Sequence, residues 1–445
     1  MTQELSYLPA ADQVAAGAMA SIIADLGRAP HGVVVDSPPG AGKSALVARA
    51  ATELADSGEP VMVVAQTNGQ VDDLTDRLAT ATAELAIGRL SAADYLPVPQ
   101  VSRHPSVTIA TQVRDLAGCQ LVVGTAAKWA MVREGTWPWA VIDEAYQMRS
   151  DLLLRIACRF DGGLFVGDPG QLDPFSTVDI DRWTGLTWDP MQSAVAVLLR
   201  NNPDFPVRRL PVSWRLPSSA VPVVAEAFYP FTGFRAGTAP DQRRLEFATR
   251  ALGSGAVDDT VETAAAGGWA LHELPARHTI RTDREAVDAC AALAERILQR
   301  GAISVSERAP AGEPVNPGRI AIGTAHRDQA KAIRARLGPL SSAGVTVDTA
   351  NRLQGREFDV TIVLHPLSGR IDATAFHLEA GRLCVLTSRH RHACIVVARA
   401  GIPELLDAHP STEPVHLNVP AKFPDGWEAN QSVMAHLATC KVRAL

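Results

Sequence analysis

The chain of 445 residues is short of several things. Its six cysteines are scattered with no C-x-x-C pair, which removes a disulfide framework and a cysteine-based zinc site from consideration. His390 and His392 lie close together in sequence, but with no third ligand nearby they read as surface residues rather than metal ligands. Met1 to Gln13 lacks a basic segment ahead of an apolar one, so no secretory leader is expected. The longest uncharged run there, Val14 to Ala24, is too short to span a bilayer and reads as a core-facing helix. The expected location is cytoplasmic, with no membrane partner. A basic excess is also missing, since 42 Lys and Arg against 48 Asp and Glu leave a net charge of −6. That does not exclude a polyanionic partner, because such binding depends on the local field along one face. What is present is ordinary globular composition, 47% hydrophobic and 20% charged, at a length that allows two or three domains.

Short apolar runs alternate with helical spacing. Val33 to Val35, Val61 to Ala65, Leu121 to Val123, Trp139 to Ile142 and Leu164 to Val166 read as buried strands, and Ser44 to Ala55 as a helix. Such alternation implies a parallel sheet covered on both faces, with ligands held beyond the carboxyl ends of the strands. A second series follows Pro217. Trp269 to Leu274, Ile320 to Ile322, Val345 to Val347, Val360 to Leu364 and Cys394 to Val397 read as strands, and Arg284 to Arg300 as an amphipathic helix. Phe231 to Gly268 reads as loop or inserted surface structure and Ser304 to Pro317 as a second loop. The segment 411–445 carries no readable pattern. No internal repeat is apparent.

Ser37-Pro38-Pro39-Gly40-Ala41-Gly42-Lys43-Ser44 lies between a Val-rich strand and a helix. It departs from G-x-x-x-x-G-K-[ST] at Ser37, yet Gly40 and Gly42 still allow backbone N–H groups to cradle phosphate. Pro39 to Ser44 are therefore candidate nucleotide contacts. Lys43 would reach the β- and γ-phosphates, and Ser44 would hold Mg²⁺. Asp143 and Glu144 follow the buried run Trp139 to Ile142. Asp143 is the candidate Mg²⁺ partner and Glu144 the base that polarises an attacking water. The bland alternatives are a chance Gly/Pro turn and an acidic pair capping a helix; the strand-to-helix context favours the nucleotide site.

These motifs in this order resemble a superfamily 1 helicase, closest to the B-type group that includes the nonsense-mediated-decay helicase. The resemblance runs from about Leu8 to Val397. It implies that Gln13 reads adenine and that Gln66, Thr67 and Asn68 contact nucleic acid, with Thr125 as a further contact. Gly167-Asp168-Pro169-Gly170-Gln171-Leu172-Asp173-Pro174 is similar to the family's Gly-Asp-x-x-Gln-Leu-x-Pro, which makes Gln171 the γ-phosphate sensor. Trp214-Arg215-Leu216-Pro217 resembles Tyr-Arg-Met-x-Pro, implying that Trp214 stacks near adenine and Arg215 reaches the γ-phosphate. A buried Trp with a snorkelling Arg is the competing reading. Thr324 and Gln329 are the two positions kept from the family's Thr-Pro-Tyr-x-x-Gln. Thr349 is implied to touch the nucleic-acid backbone and Glu357 the nucleotide sugar. Arg389, in Arg382-Leu383-Cys384-Val385 through Thr387-Ser388-Arg389, is the implied second arginine at the γ-phosphate, with Arg382 less secure. Arginine suits that role through its permanent charge and fork geometry. The competing reading makes Arg389 the start of a solvated basic helix face. Trp137 and Trp139 read as packing, while Trp183 and Trp188 stay open as base-stacking candidates.

The resulting expectation is an α/β chain of two tandem RecA-like parallel-sheet domains, 1–205 and 206–410, with a tail 411–445. ATP and Mg²⁺ are the expected cofactors and single-stranded nucleic acid the expected partner, DNA favoured over RNA. Travel is expected 5′→3′, and a protein partner could use the tail. Two rival classes remain: a nucleic-acid-stimulated ATPase that remodels complexes without unwinding, and an ATP-binding switch that recruits a partner.

Overall fold

The computed structural model describes residues 10–82, 84–174, 183, 186, 189, 192–249, 255–280, 282–409 and 425–444. Leu8, Pro9, Trp188 and 410–424 therefore lie outside the described residues. The chain divides into two compact units. One holds the described residues up to Pro169 and those from Asp173 to Pro211; the other holds Gly170–Leu172 and the described residues from Val212 onward.

The first unit is built on eight strands: β1 (Gly32–Asp36), β2 (Val61–Ala65), β3 (Ile87–Leu90), β4 (Val107–Ala110), β5 (Leu121–Thr125), β6 (Trp137–Ile142), β7 (Phe160–Gly167) and β8 (Val207–Arg209). They pair in the order β4-β3-β5-β2-β6-β7-β1-β8, every pair parallel. Successive side chains of a strand face opposite ways. Val61, Val63 and Ala65 accordingly join one core while Met62 and Val64 join the other. Burial on both faces is why these strands read as unbroken apolar runs, each Val adding roughly 1.5–3 kcal/mol.

The second unit begins with a short parallel pair, β9 (Val212–Ser213) and β10 (Arg235–Ala236). An antiparallel sheet follows from β11 (Arg244–Phe247), β13 (Ala302–Ser306) and β14 (Ala309–Pro314), in the order β11-β13-β14. The main sheet contains β12 (Trp269–Leu274), β15 (Ile320–Thr324), β16 (Thr346–Thr349), β17 (Phe358–Leu364), β18 (His390–Arg399) and β19 (Lys441–Arg443). Its order is β16-β15-β17-β18-β12-β19, again all parallel. The α/β class and the two parallel sheets expected of tandem RecA-like domains are present.

Several expectations change. Ser304–Pro317 is largely a hairpin rather than a loop, and its prolines Pro310 and Pro314 sit on the edge strand β14, where a missing N–H costs no ladder bond. Phe231–Gly268 is structural too, containing β10, β11 and the helix Ala256–Gly267. The tail supplies the helix Gly426–Leu437, opened by an Asp425/Glu428 capping box, and the edge strand β19 beside β12. His390 and His392 are buried, not surface residues. Arg389 is 1% exposed and directly precedes β18, so the solvated-helix-face reading falls. Among the described residues, no helix is long and apolar enough to cross a membrane.

Candidate nucleotide site and nucleic-acid edge

In the first unit the sequence motifs fall at the carboxyl ends of five neighbouring strands. In spatial order β5-β2-β6-β7-β1, these ends lead into Thr125, Gln66, Asp143, Asp168 and Ser37. The phosphate loop leaves β1 with the Ser37 N–H bonded to the Gly167 carbonyl at 2.8 Å. Gly40 (φ 73°) and Gly42 (φ 90°) take left-handed conformations that other residues adopt only at a cost. The helix Lys43–Ala55 starts directly after them, with Ser44 in its first turn. The exposed Gln13 lies in the first turn of the helix Ala11–Leu26.

Lys43 Nζ donates to Glu144 Oε1 at 2.7 Å. Burial works against the charged form of Lys43. The carboxylates of Glu144, Asp168 and Asp143 outweigh it and hold the ammonium above its ordinary pKa. Burial and the adjacent Glu144 push Asp143 up to about 6, against the pull of Lys43. Three carboxylates thus crowd one ammonium, a charge imbalance that a divalent cation would relieve. The residues present fit a magnesium–nucleotide group.

Glu144 has φ 52° and ψ 43°, a left-handed conformation that costs a non-glycine residue about 1–2 kcal/mol. Local bonds hold it there. Its N–H donates to Asp143 Oδ1 at 2.9 Å, and its Oε2 accepts from Gln147 Nε2 at 2.8 Å. Tyr146 donates its hydroxyl to Asp36 Oδ1 at 2.5 Å, tying the turn to the end of β1. Burial raises the Asp36 carboxyl, with the Tyr146 bond and Arg209 pulling the other way. The sequence motifs include Asp168 without a role and do not single out Tyr146. Only their position after a buried strand could have signalled one.

Ala65 of β2 pairs with Thr125 of β5, which sets the two candidate nucleic-acid loops side by side. Thr67 and Thr125 each cap a helix, accepting from Gln70 N at 3.3 Å and Lys128 N at 3.1 Å. Thr67 and Asn68 are exposed, whereas the Gln66 amide donates to the Asp143 carbonyl at 3.2 Å. Beneath them Arg89 is fully buried. Its guanidinium holds Asp72 Oδ1 at 2.9 Å and Asn68 Oδ1 at 3.0 Å, and Tyr95 donates to the same Asp72 oxygen at 2.7 Å. Trp137 is buried edge-on against Trp129.

The second unit carries its candidates on opposite edges of one sheet. Thr324 and Thr349 end β15 and β16 and pair directly, at the carboxyl edge. Thr324 is buried, its hydroxyl donating to the His326 carbonyl at 3.0 Å. Glu357 and Arg389 instead precede β17 and β18, at the amino edge, about 20 Å away by the rise of a seven-residue strand. There Arg215 Nε lies 3.3 Å from Glu357 Oε2, and Arg391 donates to Glu357 Oε1 at 3.0 Å. Burial raises the Glu357 carboxyl, but the two arginines leave it below its ordinary pKa. Arg389 bonds the Val385 carbonyl at 3.1 Å and Ser388 Oγ at 2.9 Å. Trp214 is half-buried over Gly237, where a Cβ would meet its ring at 2.3 Å. Arg382 is buried against Glu379, Asn351 and Phe376. Gln171, read from sequence as part of the first domain, groups with the second unit and accepts from Gln354 Nε2 at 3.1 Å. Trp183 is 38% exposed.

Two family profiles, each described as an AAA domain, match the chain, one over residues 20–180 and the other over 272–401. The phosphate loop and the acidic pair both lie inside the first match, which supports a P-loop NTPase superfamily. No curated protein matches it. Among solved structures it is similar to the PRRSV helicase, at 14% identity and TM-score 0.40, over 92% of this chain and 57% of that one. It is also similar to Arterivirus nonstructural protein 10, a helicase, at 13% and 0.44, over 90% and 64%. A third likeness is to the DUF1998 helicase MrfA bound to DNA and AMPPNP, at 10% and 0.40, over 92% and 53%. The chain spans less than two thirds of the length of each.

Proposed function

We propose that this protein is an ATP-dependent motor on single-stranded nucleic acid, of the superfamily 1 B-type helicase kind. The observation that carries the reading is the shared carboxyl edge of the first sheet. Phosphate loop, acidic pair and the Gln66–Asn68 and Thr125 loops follow adjacent strands there, and Gln66 touches the Asp143 carbonyl. Lys43, Ser44 and Asp143 would hold nucleotide and Mg²⁺, which when bound supplies positive charge at the phosphates. Glu144 takes a proton from the attacking water, and the helix N-termini behind Thr67 and Thr125 offer N–H groups to backbone phosphates. Arg215, Arg389 and Gln171 serve the γ-phosphate, Glu357 the sugar, Gln13 and Trp214 the base, and Thr324 and Thr349 the nucleic acid. DNA is the favoured polymer and 5′→3′ the direction of travel.

ATPase turnover with poly-dT, poly-U and no polymer tests the reading. The expected result is a rise in kcat with polymer, larger for poly-dT. Hydrolysis indifferent to both polymers sinks the motor and leaves a nucleotide switch. Streptavidin displacement from oligonucleotides biotinylated at either end checks polarity, with faster release from the 3′ end expected.

A further inference from the structure

The loop after β2 is bonded in two directions. Toward the nucleotide site, Gln66 Nε2 donates to the Asp143 carbonyl at 3.2 Å. That carbonyl belongs to the peptide joining Asp143 to Glu144, whose N–H is held by Asp143 Oδ1. Both ends of the peptide plane that sets the left-handed Glu144 are therefore fixed, one by Gln66. Toward the exposed edge, Gln70 Oε1 accepts from the backbone N–H of both Gln66, at 3.1 Å, and Thr67, at 2.9 Å. Asn68 is anchored from below by buried Arg89. A ligand on Thr67 and Asn68 must therefore act on the same few bonds that place Gln66.

We infer that Gln66 is a positioning residue rather than a nucleic-acid contact: it transmits occupancy of the Thr67–Asn68 helix start, by a backbone phosphate, to the orientation of Glu144. The inference rests on the proposed polymer-stimulated ATPase.

The test uses the full chain carrying Gln66→Ala or Gln66→Glu, the latter keeping size but facing the carbonyl with an acceptor. ATP kcat and KM are measured with and without poly-dT, oligo-dT affinity by fluorescence anisotropy, and folding by thermal melting. The expected result for both variants is an unchanged melt and oligo-dT Kd within about threefold. At saturating poly-dT kcat falls about tenfold or more with KM little changed, a larger factor than the fall in unstimulated turnover, so the stimulation shrinks. Weakened oligo-dT binding with full stimulation at saturation would make Gln66 a direct contact and overturn the inference. Normal stimulation in both variants overturns it too, while leaving the motor reading intact. Absence of stimulation in the unmodified chain removes the reading itself.

Discussion

Glu144 holds a strained backbone, accepts from Gln147 and neutralises Lys43. Glu144→Gln keeps the size and the hydrogen-bonding end of this side chain but cannot take a proton. Turnover is expected to fall by roughly 10²–10⁴ with nucleotide binding retained, read by single-turnover ATPase and a fluorescent-ATP titration. Lys43→Ala differs in kind. It leaves Asp143, Glu144 and Asp168 without their shared ammonium and removes the cation from the phosphate loop, so the same titration should show binding lost. Retained binding in Lys43→Ala, or full turnover in Glu144→Gln, would contradict the roles given to them.

At the scale of elements, the β13–β14 hairpin does unexpected work. Glu307 at its turn receives two bonds from Arg243, whose guanidinium also caps the carbonyls of Trp214 and Arg215. The Arg243 bond, against burial, holds the Glu307 carboxyl down at about 2. Since the folded value lies below the unfolded one near 4.5, this stabilisation is complete above pH 4.5 and fades as pH falls toward 2. Glu307→Gln should therefore cost about 1–2 kcal/mol at pH 7, partial exposure screening the pair, with the gap to the unmodified chain closing below pH 4.5 in denaturant melts. The hairpin also shows where sequence legibility stopped. Strand β2, an unbroken apolar run between covered faces, was readable to the residue, and so was β12 despite His272 and Glu273 within it. β3 was not, because Gly88 makes room for Leu116 and Arg89 is buried through Asp72 and Asn68, partners 17 and 21 residues away. β14 hid behind prolines that an edge tolerates. The site followed the same rule: local motifs gave Lys43, Asp143 and Glu144, whereas the Gln66–Asp143 and Tyr146–Asp36 bonds span 77 and 110 residues and leave no pattern.

For the whole molecule, acid response is unevenly shared. Among the described residues, seven histidines are shifted downward, each chiefly by burial: His272, His326, His365, His377, His390, His392 and His436. All belong to the second unit. His365 and His377 sit at about 4 and His390 at about 3. These groups stabilise the fold while neutral, fully above the unfolded value near 6.5, and that contribution drains away as pH falls toward 4. Hydrogen exchange followed by mass spectrometry between pH 7 and 5, corrected for intrinsic rates, should show protection lost first in 269–399, ahead of 32–167. Equal loss in both would deny the histidines this role.

The placement of β19 bears on how the protein is made. Every strand of the first sheet lies between Gly32 and Arg209, so that sheet can close while the ribosome is still translating the second unit. The second sheet cannot. β12 emerges early, yet one of its two neighbours, with the Lys441 and Arg443 charges that meet Glu273, follows only after Lys441 is made, 168 residues beyond Glu273. Throughout that interval β12 offers an unpaired edge to any other nascent chain. Slow translation past the codons for 400–440 would prolong the exposure.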